Sequence, residues 1–299
     1  MSNGVGNTHA PKALGSSYID DITQSANPWN HWSVKRQGLD VLADHLSIST
    51  MELSDFYDHP DLFDALLPVS AHLTFYRELA RQQGGNVLEL GCGTGQLTIP
   101  IALDGRPTVG LDQSNAMLKV AKRRASGLGA PVGFIQADMR HFALDSDFRL
   151  VFVARNSLLH LLTNADLVAA FATARRHLAP GGIFAFDVFT PSLTLLNRSP
   201  GQRFPVMDED TVTFGRLCVE GTCDYDSSTQ VNNATWYIST PHVRDAWVVP
   251  MVLRSIFPQE LPLLLAAAGL ELVNRFGDLG REPFGPASRA QVCLCRRRD

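Results

Sequence analysis

The chain has 299 residues, 45% of them hydrophobic, and a formal net charge of −4 at pH 7. This is enough apolar material for one large core or two smaller ones, while the charge gives no basic surface for nucleic acid. The longest apolar stretch, near residues 261–270, is too short to cross a bilayer. Five cysteines, an odd number, favour a reduced cytoplasmic protein without disulfides, and none has partners spaced for a metal.

The first 84 residues divide into two parts. Residues 1–17 are rich in Gly, Ser and Asn and contain no apolar segment, so we predict a disordered tail without a secretory signal. Residues 18–84 carry aromatic side chains within helical-looking segments, such as 31–46 and 60–82. We predict a helical region there, ahead of the main core.

An apolar run breaks into glycines at residues 86–101, NVLELGCGTGQLTIPI. The pattern predicts a strand that ends near Glu89, a tight turn containing Gly91, Gly93 and Gly95, and then a helix. Glycines let the backbone N–H groups and the helix N-terminus approach a ligand closely, and Glu89 can meet a cationic group. The segment therefore predicts a binding site for a nucleoside-like cofactor.

Further strands alternate with helices after this turn. We predict strands at 108–112, 132–136, 148–154 and 183–188. Helices are predicted after the strand ending at Asp112, where Ser114 can cap, and from Thr163 until the run at 179–182. This alternation is typical of a doubly wound α/β fold with a parallel sheet.

Ligands of such sheets bind beyond the carboxyl ends of the strands, where Gly91, Asp112, Asp138 and Asn156 are expected to gather. An acidic residue at the end of the second strand can hydrogen-bond both ribose hydroxyls. We therefore predict that Asp112 binds the ribose, with Gln113 beside it.

The glycine spacing distinguishes between cofactors. Dinucleotide folds use G-x-G-x-x-G, whereas the third glycine here comes one residue early, and Glu89 would lie awkwardly near a diphosphate. The segment Glu89 to Gly95 instead resembles the E/D-x-G-x-G-x-G motif of class I S-adenosylmethionine (SAM) dependent methyltransferases. That resemblance implies SAM as cofactor and a Rossmann-like, doubly wound seven-stranded sheet with an N-terminal helical lid.

The strand-helix alternation is interrupted after residue 188. Residues 211–224 and 230–239 read as two antiparallel strands, and 247–257 as a third. A helix at 259–268 and strands at 270–276 and 290–296 then resemble the end of the family fold. We predict five units: a tail at 1–17, a lid region at 18–84, a SAM-binding core at 85–200, an antiparallel β insert at 201–256 and a C-terminal completion at 257–299.

The resemblance implies further cofactor contacts. Asp138 would take the adenine amino group and Met139 would form an apolar wall, although Asp138 can equally cap a turn and Met139 can be ordinary core. Tyr57, in an F-Y-D stretch, matches the lid tyrosine that contacts the methionine end in similar enzymes. Arg155 and Asn156 are candidates for binding SAM or an acceptor carboxylate.

Inserts in similar enzymes cover the acceptor pocket. The candidates to line it are Asn233, Trp236, Tyr237 and Arg254, although the aromatic residues can also simply pack the insert onto the core. Strand alternation places Asn233 and Tyr237 on the face opposite Trp236. Only one of these two faces can meet the substrate.

Catalysis of methyl transfer needs an aligned nucleophile and sometimes a proton acceptor. His160 is the first candidate base because its ordinary pKa near 6.5 suits that role, and Asp187 is the second. A structural histidine is the alternative reading of His160.

The sequence favours a cytoplasmic SAM-dependent methyltransferase acting on a small-molecule amine or hydroxyl, in secondary metabolism such as natural-product biosynthesis or in amino-acid metabolism. Three alternatives stay open: a SAM-cyclising enzyme that releases methylthioadenosine, like azetidine-2-carboxylate synthases, a nicotinamide oxidoreductase, and a non-catalytic SAM-binding module. The acceptor and the oligomeric state are left undetermined.

Overall fold

The computed structural model describes residues 55–298 of the chain. The predicted tail at 1–17 and the part of the predicted lid region at 18–54 lie outside the described residues. The structure begins immediately before a short 3-10 helix at Phe56–Asp58. This helix contains Tyr57, so the lid tyrosine predicted from the sequence can be placed.

Eleven strands and seven α-helices follow within the described residues. The strands are β1 (Val87–Leu90), β2 (Thr108–Asp112), β3 (Val132–Gln136), β4 (Phe148–Val153), β5 (Leu178–Phe189), β6 (Phe204–Thr211), β7 (Gly215–Asp226), β8 (Val231–Ser239), β9 (Trp247–Arg254), β10 (Leu270–Phe276) and β11 (Ala290–Arg297). The helices are α1 (Pro60–Leu66), α2 (Ser70–Gln83), α3 (Thr98–Leu103), α4 (Asn115–Leu128), α5 (Asn164–Arg176), α6 (Leu193–Leu196) and α7 (Glu260–Ala267). A second 3-10 helix spans Ser157–His160.

The main sheet has seven strands in the order β10-β11-β5-β4-β1-β2-β3. Pairing is parallel from β5 through β3, while β11 runs antiparallel to both β5 and β10. The seven-stranded, Rossmann-like sheet predicted from the sequence is confirmed. Strand order reverses beside β1, whose neighbours are β2 and β4, and ligands of doubly wound sheets bind at such a point.

Apolar residues fill both faces of this sheet. On one face Phe171 of α5 packs against Phe184 and Phe186 of β5, with ring centroids 5.7 Å from each. On the other face Tyr76 of α2 stacks on Phe152 of β4, with ring centroids 4.5 Å apart. Because helices cover both faces, the central strands are buried on both sides, which explains their near-continuous apolar sequences.

The insert is a separate antiparallel sheet in the order β6-β7-β8-β9. The sequence-based assignment of three strands was incomplete, because 211–224 spans the end of β6, a turn and most of β7. Pro205 and the acidic run at 208–210 concealed β6. Trp236 of β8 packs edge-on against Phe56, with ring centroids 5.8 Å apart, so the insert contacts the start of the described chain.

Helix α5 ends earlier than predicted. The sequence at 179–182, Ala-Pro-Gly-Gly, reads as a helix stop, yet the helix ends at Arg176 and these residues lie within β5. The C-terminal strands predicted at 270–276 and 290–296 correspond to β10 and β11. No helix between residues 55 and 298 combines the length and apolar character that a membrane crossing requires.

Phe171→Ala is expected to lower the free energy of unfolding by about 3–5 kcal/mol, because the fully buried ring leaves a cavity between α5 and β5. Urea denaturation measures the loss. Val212→Ala, at a fully exposed side chain between β6 and β7, is the matched control and is expected to change stability by less than about 0.5 kcal/mol. Equal effects of the two substitutions would contradict the core packing described here.

Candidate functional site

A cavity of about 470 Å³ lies beyond the carboxyl ends of β1, β2 and β4. The structure places most of the predicted cofactor residues on its wall. These are Tyr57, Glu89, Gly91, Gly93, Asp112, Gln113, Met139 and Arg155, and the candidate base His160 also lines it. The site therefore joins residues from both 3-10 helices, the glycine turn and the ends of four strands.

The glycine turn after β1 requires residues without a side chain. Gly91, Gly93 and Gly95 have φ angles of 74°, 54° and 78°, in the left-handed region that favours glycine. The N–H groups of Gly91 and Cys92 donate to the carbonyl of Leu111, at 2.7 and 3.0 Å, which fastens the turn to β2. A Cβ on Gly91 would come within 3.1 Å of Ser157, so the missing side chain lets the turn approach the loop after β4.

Gly95 is the one glycine of the predicted motif that does not line the cavity. A Cβ there would lie 2.9 Å from the side chain of Ile99 and 3.2 Å from Phe134. Gly95 therefore lets the chain pack closely at the start of α3. Its predicted role in cofactor binding stays a prediction.

Asp112 ends β2 with its carboxylate turned toward the glycine turn. One oxygen accepts the N–H of Gly93 at 2.7 Å and the other accepts the N–H of Ser114 at 2.8 Å. Burial raises the pKa of this carboxyl, and the backbone hydrogen bonds oppose that rise. A carboxylate has about four lone-pair positions, and the backbone donors of Gly93, Ser114 and Gln113 leave room for a hydroxyl donor within the cavity.

Glu89 lies deeper in the same wall, only 3% exposed. Its carboxyl accepts a hydrogen bond from the Thr98 hydroxyl, on α3. Burial raises the pKa of Glu89 to about 8, against the lowering effect of Thr98 and Arg155. A cation in the cavity would favour the ionised form of this side chain, so Glu89 is suited to meet an ammonium group.

Arg155 brings the positive charge of the site. Its guanidinium donates to the Gln96 side-chain carbonyl at 2.7 Å and to the Leu67 carbonyl at 2.6 Å, and lies 4.9 Å from the centre of the Phe63 ring. Burial lowers the pKa of Arg155, and nearby acidic groups led by Glu89 oppose this. Both direct partners are neutral, so the charge stays available to an anionic group in the cavity.

Tyr57 and His160 form a pair at the cavity wall, with the Tyr57 oxygen 2.6 Å from Nε2 of His160. Burial and the nearby Asp112 raise the pKa of Tyr57 above its ordinary value, so the phenol stays protonated. His160 keeps contact with solvent, yet the surrounding protein removes enough water to lower its pKa. We therefore assign a neutral imidazole that accepts a hydrogen bond from the Tyr57 hydroxyl at Nε2 and carries its own proton on Nδ1.

The predicted adenine contacts are only partly brought together. Met139 and Ala137 line the cavity, whereas Asp138 does not. The Asp138 carboxylate instead forms an ion pair with Arg140, at 2.6 Å, and that arginine also binds Asp166. The Arg140 guanidinium donates to this carboxylate and lowers the pKa of Asp138.

Asn156 and Asp187, predicted as a substrate ligand and a second candidate base, do not line the cavity. The Asn156 side-chain carbonyl accepts the N–H of Phe189 at 2.7 Å. The Asp187 carboxylate, 5% exposed, accepts hydrogen bonds from Tyr76 and from the N–H of Arg155. Both side chains are occupied by the protein, so the geometry does not support direct contact with a substrate.

The insert residues also lie away from the cavity. Asn233 is exposed on β8, and Trp236 packs against Phe56. Tyr237 lies beneath the guanidinium of Arg203, 3.4 Å from the ring centre. Arg254 is buried and donates to Asn164 at 2.6 Å. None of the four predicted acceptor contacts is therefore in place to line this cavity.

The sequence analysis missed several residues of the wall. Phe63 and Gln96 both hold Arg155, and Ser157 faces Gly91. Gln96 directly follows the glycine motif, and Ser157 follows the fourth strand, so their positions offered a signal. Phe63 gave none, because an aromatic side chain in an amphipathic helix reads as core. Across residues 55–298, no group of three or more His, Cys, Asp or Glu side chains is arranged to hold a metal.

The chemistry of the wall fits SAM. The cofactor has an ammonium, a carboxylate, a ribose diol and an apolar purine face, and the cavity offers Glu89, Arg155, Asp112 and Met139 on its surface. Its volume falls within the roughly 300–1,000 Å³ typical of small-molecule sites. Gly91 and Gly93 also line the cavity, so the turn presents backbone without side chains to a ligand there.

Comparisons with known proteins find methyltransferases. Residues 87–182 match the methyltransferase domain family. Cypemycin N-terminal methyltransferase from Streptomyces sp. is 26% identical over 242 residues, covering 79% of this chain and 94% of that protein. A dTDP-3-amino-3,4,6-trideoxy-alpha-D-glucopyranose N,N-dimethyltransferase from Streptomyces venezuelae is 30% identical over 138 residues, 44% of this chain and 56% of that protein.

Among solved structures, the CcbJ methyltransferase from Streptomyces caelestis superposes with a TM-score of 0.71 at 26% identity, covering 82% of this chain and 99% of that one. The chain spans about half the length of several other curated relatives that it matches. The fold, the motif and these matches support a class I SAM-dependent methyltransferase, with the methyltransferase domain at residues 87–182. Its cofactor is SAM.

Glu89→Gln is expected to change how stability depends on pH. The pKa of Glu89 is about 8 in the folded protein and about 4.3 in an unfolded chain, so folding favours its protonated form. That contribution is fully present below about pH 4 and is lost as the pH rises through about 8. The stability of E89Q relative to wild type is therefore expected to rise by a few kcal/mol between about pH 5 and about pH 8.

Urea denaturation across this pH range measures the difference between E89Q and wild type. Glu271→Gln, at an exposed glutamate on β10, is the control and is expected to leave the profile unchanged. A difference between E89Q and wild type that stays constant with pH would show that Glu89 has an ordinary pKa.

Asp112→Ala is expected to weaken SAM binding by about 1–3 kcal/mol through loss of hydrogen bonds to the ribose and of the bond that holds the Gly93 amide. Isothermal titration calorimetry measures the affinity. Asp224→Ala, at an exposed aspartate on β7, is the control and is expected to bind SAM like wild type. Unchanged affinity in D112A would remove Asp112 from the site.

Proposed function

We propose that the protein transfers the methyl group of SAM to the nitrogen of a small-molecule amine, in the biosynthesis of a natural product. The observation that carries the proposal is the Tyr57–His160 pair, which lies on the wall of the cofactor cavity. It supplies a neutral, weak base on that wall: the Tyr57 hydroxyl can take a proton from the acceptor while it gives its own proton to Nε2 of His160, and the exposed imidazole then releases its Nδ1 proton to solvent.

The strength of this base favours an amine over an aliphatic hydroxyl. An amine has a free lone pair once its ammonium form has lost a proton. The protein therefore has only to accept that proton and pass it to solvent. An aliphatic hydroxyl is far more weakly acidic, and an imidazole whose pKa is lowered cannot readily take its proton. His160 is therefore better suited to an amine acceptor.

The names of two relatives support the same acceptor class. The cypemycin relative is named for methylation at an N-terminus, and the sugar relative is named as an N,N-dimethyltransferase. Both names describe methylation at nitrogen. The first of these matches spans nearly all of the relative's length, so it includes regions outside the cofactor-binding domain.

Bound SAM supplies an electrophilic methyl carbon on a sulfonium sulfur. The residues of this chain hold and orient the reactants. In the proposal Asp112 binds the ribose, Glu89 the ammonium and Arg155 the carboxylate, while Met139 packs against the purine. The Tyr57 ring lies on the same wall, and an aromatic face next to the sulfonium would stabilise that cation by about 0.5–2 kcal/mol.

Product analysis tests the proposed reaction. The purified protein is incubated with SAM and a panel of amino sugars, amino acids and peptides with free N-termini, each paired with its hydroxyl analogue. We expect S-adenosylhomocysteine and one equivalent of methylated amine from at least one member. Methylation of the hydroxyl partner alone, or release of methylthioadenosine without any methylated product, would overturn the proposal.

His160→Gln is expected to lower kcat for the amine by about 10²-fold, because glutamine can accept the Tyr57 hydrogen bond but cannot take a proton. SAM affinity is expected to stay within about twofold of wild type. His242→Gln, at an exposed histidine between β8 and β9, is the control for the same substitution. A kcat for H160Q equal to that of wild type would exclude His160 as the proton acceptor.

A further inference from the structure

The loop after β4 has an unusual backbone. Arg155 and Asn156 both lie in the left-handed region, with φ angles of 58° and 64°, and neither is glycine. Residues with a Cβ resist this conformation, so the surrounding structure must hold it. Because the loop directs the Arg155 side chain into the cavity, whatever holds the loop also sets the position of the guanidinium.

The end of β5 braces this loop at three points. The Arg155 N–H lies 3.1 and 3.0 Å from the two carboxylate oxygens of Asp187. The backbone carbonyl of Asp187 accepts the Asn156 N–H at 3.2 Å. The Asn156 side chain in turn accepts the N–H of Phe189 at 2.7 Å. Neighbouring residues of a single strand therefore fix two successive strained residues.

The Asp187 carboxylate is itself held from the opposite side. The Tyr76 hydroxyl donates to Oδ1 at 2.7 Å, and Nε2 of His72 lies 3.2 Å from Oδ2. Both residues belong to α2, and Tyr76 is completely buried against Phe152. The carboxylate is thus clamped between a helix and the strained loop, with both oxygens engaged by protein donors.

Arg155 keeps its charge free for a ligand. Its guanidinium donates to Gln96 and Leu67 through neutral oxygens, and within residues 55–298 it makes no ion pair with a carboxylate. The acidic groups that act on its charge are led by Glu89, at the end of β1, followed by Asp64 of α1 and Asp187 of β5. An anionic group in the cavity would be its first direct ionic partner.

We propose that Asp187 is a positioning residue that acts through Arg155 to set the affinity for the carboxylate at the amino-acid end of the cofactor. This inference rests on the proposed function, in which Arg155 binds that carboxylate. It replaces the expectation that Asp187 is a base, since its carboxylate does not reach the cavity. Asp187 touches neither cofactor nor acceptor, and its effect passes through the Arg155 backbone.

Two ligands separate a positioning effect from a general loss of structure. S-adenosylhomocysteine and methylthioadenosine share the adenosine and the sulfur, but only the first has the amino-acid end. Asp187→Asn keeps the size of the side chain and replaces one acceptor oxygen with a donor. We expect D187N to bind S-adenosylhomocysteine about tenfold more weakly, with the affinity for methylthioadenosine within about twofold of wild type.

A double-mutant cycle identifies the residue through which Asp187 acts. Arg155→Gln is expected to show the same selective loss, and D187N/R155Q is expected to bind S-adenosylhomocysteine no more weakly than R155Q alone. Asp104→Asn, at an exposed carboxylate on the far end of α3 that pairs with Arg77, is the matched control. Full additivity in the cycle, or equal loss of both ligands in D187N, would overturn the inference.

A second variant decides the matter if circular dichroism shows that D187N does not fold. Asn156→Gly removes the side chain that holds Phe189 while keeping the left-handed backbone accessible, and the same selective loss is expected. Equal loss of both ligands, or no loss, would overturn the inference. D112A is expected to weaken the binding of both ligands, because both contain the ribose. If the wild-type protein binds neither ligand, that result contradicts the proposed function and not this inference.

Discussion

Parallel pairing of β1 with β2 on one side and β4 on the other is the constraint on which the site depends. In this register Glu89 lies opposite Gly110 of β2 and Phe152 of β4. Three strands separated by long stretches of sequence therefore end at one edge, and the loops that follow them face one another. Gly110 allows this close packing, because a Cβ there would lie 2.9 Å from the sulfur of Cys92.

Electrostatic complementarity at this edge suits a zwitterion. Burial raises the pKa of both Glu89 and Asp112, so each carboxyl is poised to gain from a cationic or hydrogen-bonding partner. Arg155 shares their cavity without pairing directly with either of them. The protein thus keeps opposite charges apart, and a ligand that carries both an ammonium and a carboxylate can satisfy them together.

The insert packs against the segment that carries Tyr57 on the cavity wall. Trp236 packs on Phe56, the neighbour of Tyr57, and the Ser114 hydroxyl donates to the Tyr57 carbonyl at 3.3 Å. The Tyr57 segment is therefore held between the insert and the start of α4. This arrangement gives Trp236 a packing contact, as in the alternative reading of the insert aromatics.

How far the sequence predicts the site depends on how local each interaction is. Strand ends can be recognised from a few consecutive residues. The glycine motif and the acid at the end of β2 were therefore enough to predict that Gly91, Gly93 and Asp112 lie in the cavity wall. Asp138 was also placed correctly at a strand end, yet its side chain binds Arg140, two residues away. A sequence pattern fixes where a residue lies along a strand, but competing partners fix where its side chain turns.

The sequence by itself determined the alternation of strands and helices in the core and the glycine motif, because both patterns are written in consecutive residues, and the resemblance carried by that motif implied the seven-stranded sheet and SAM. Only the tertiary structure decided that Asp187 faces the Arg155 backbone rather than the cavity, that β6 joins the insert, and that Phe63 and Gln96 hold the guanidinium. Those contacts join residues up to about ninety positions apart, such as Leu67 and Arg155, and depend on which side chains meet once the sheet has formed.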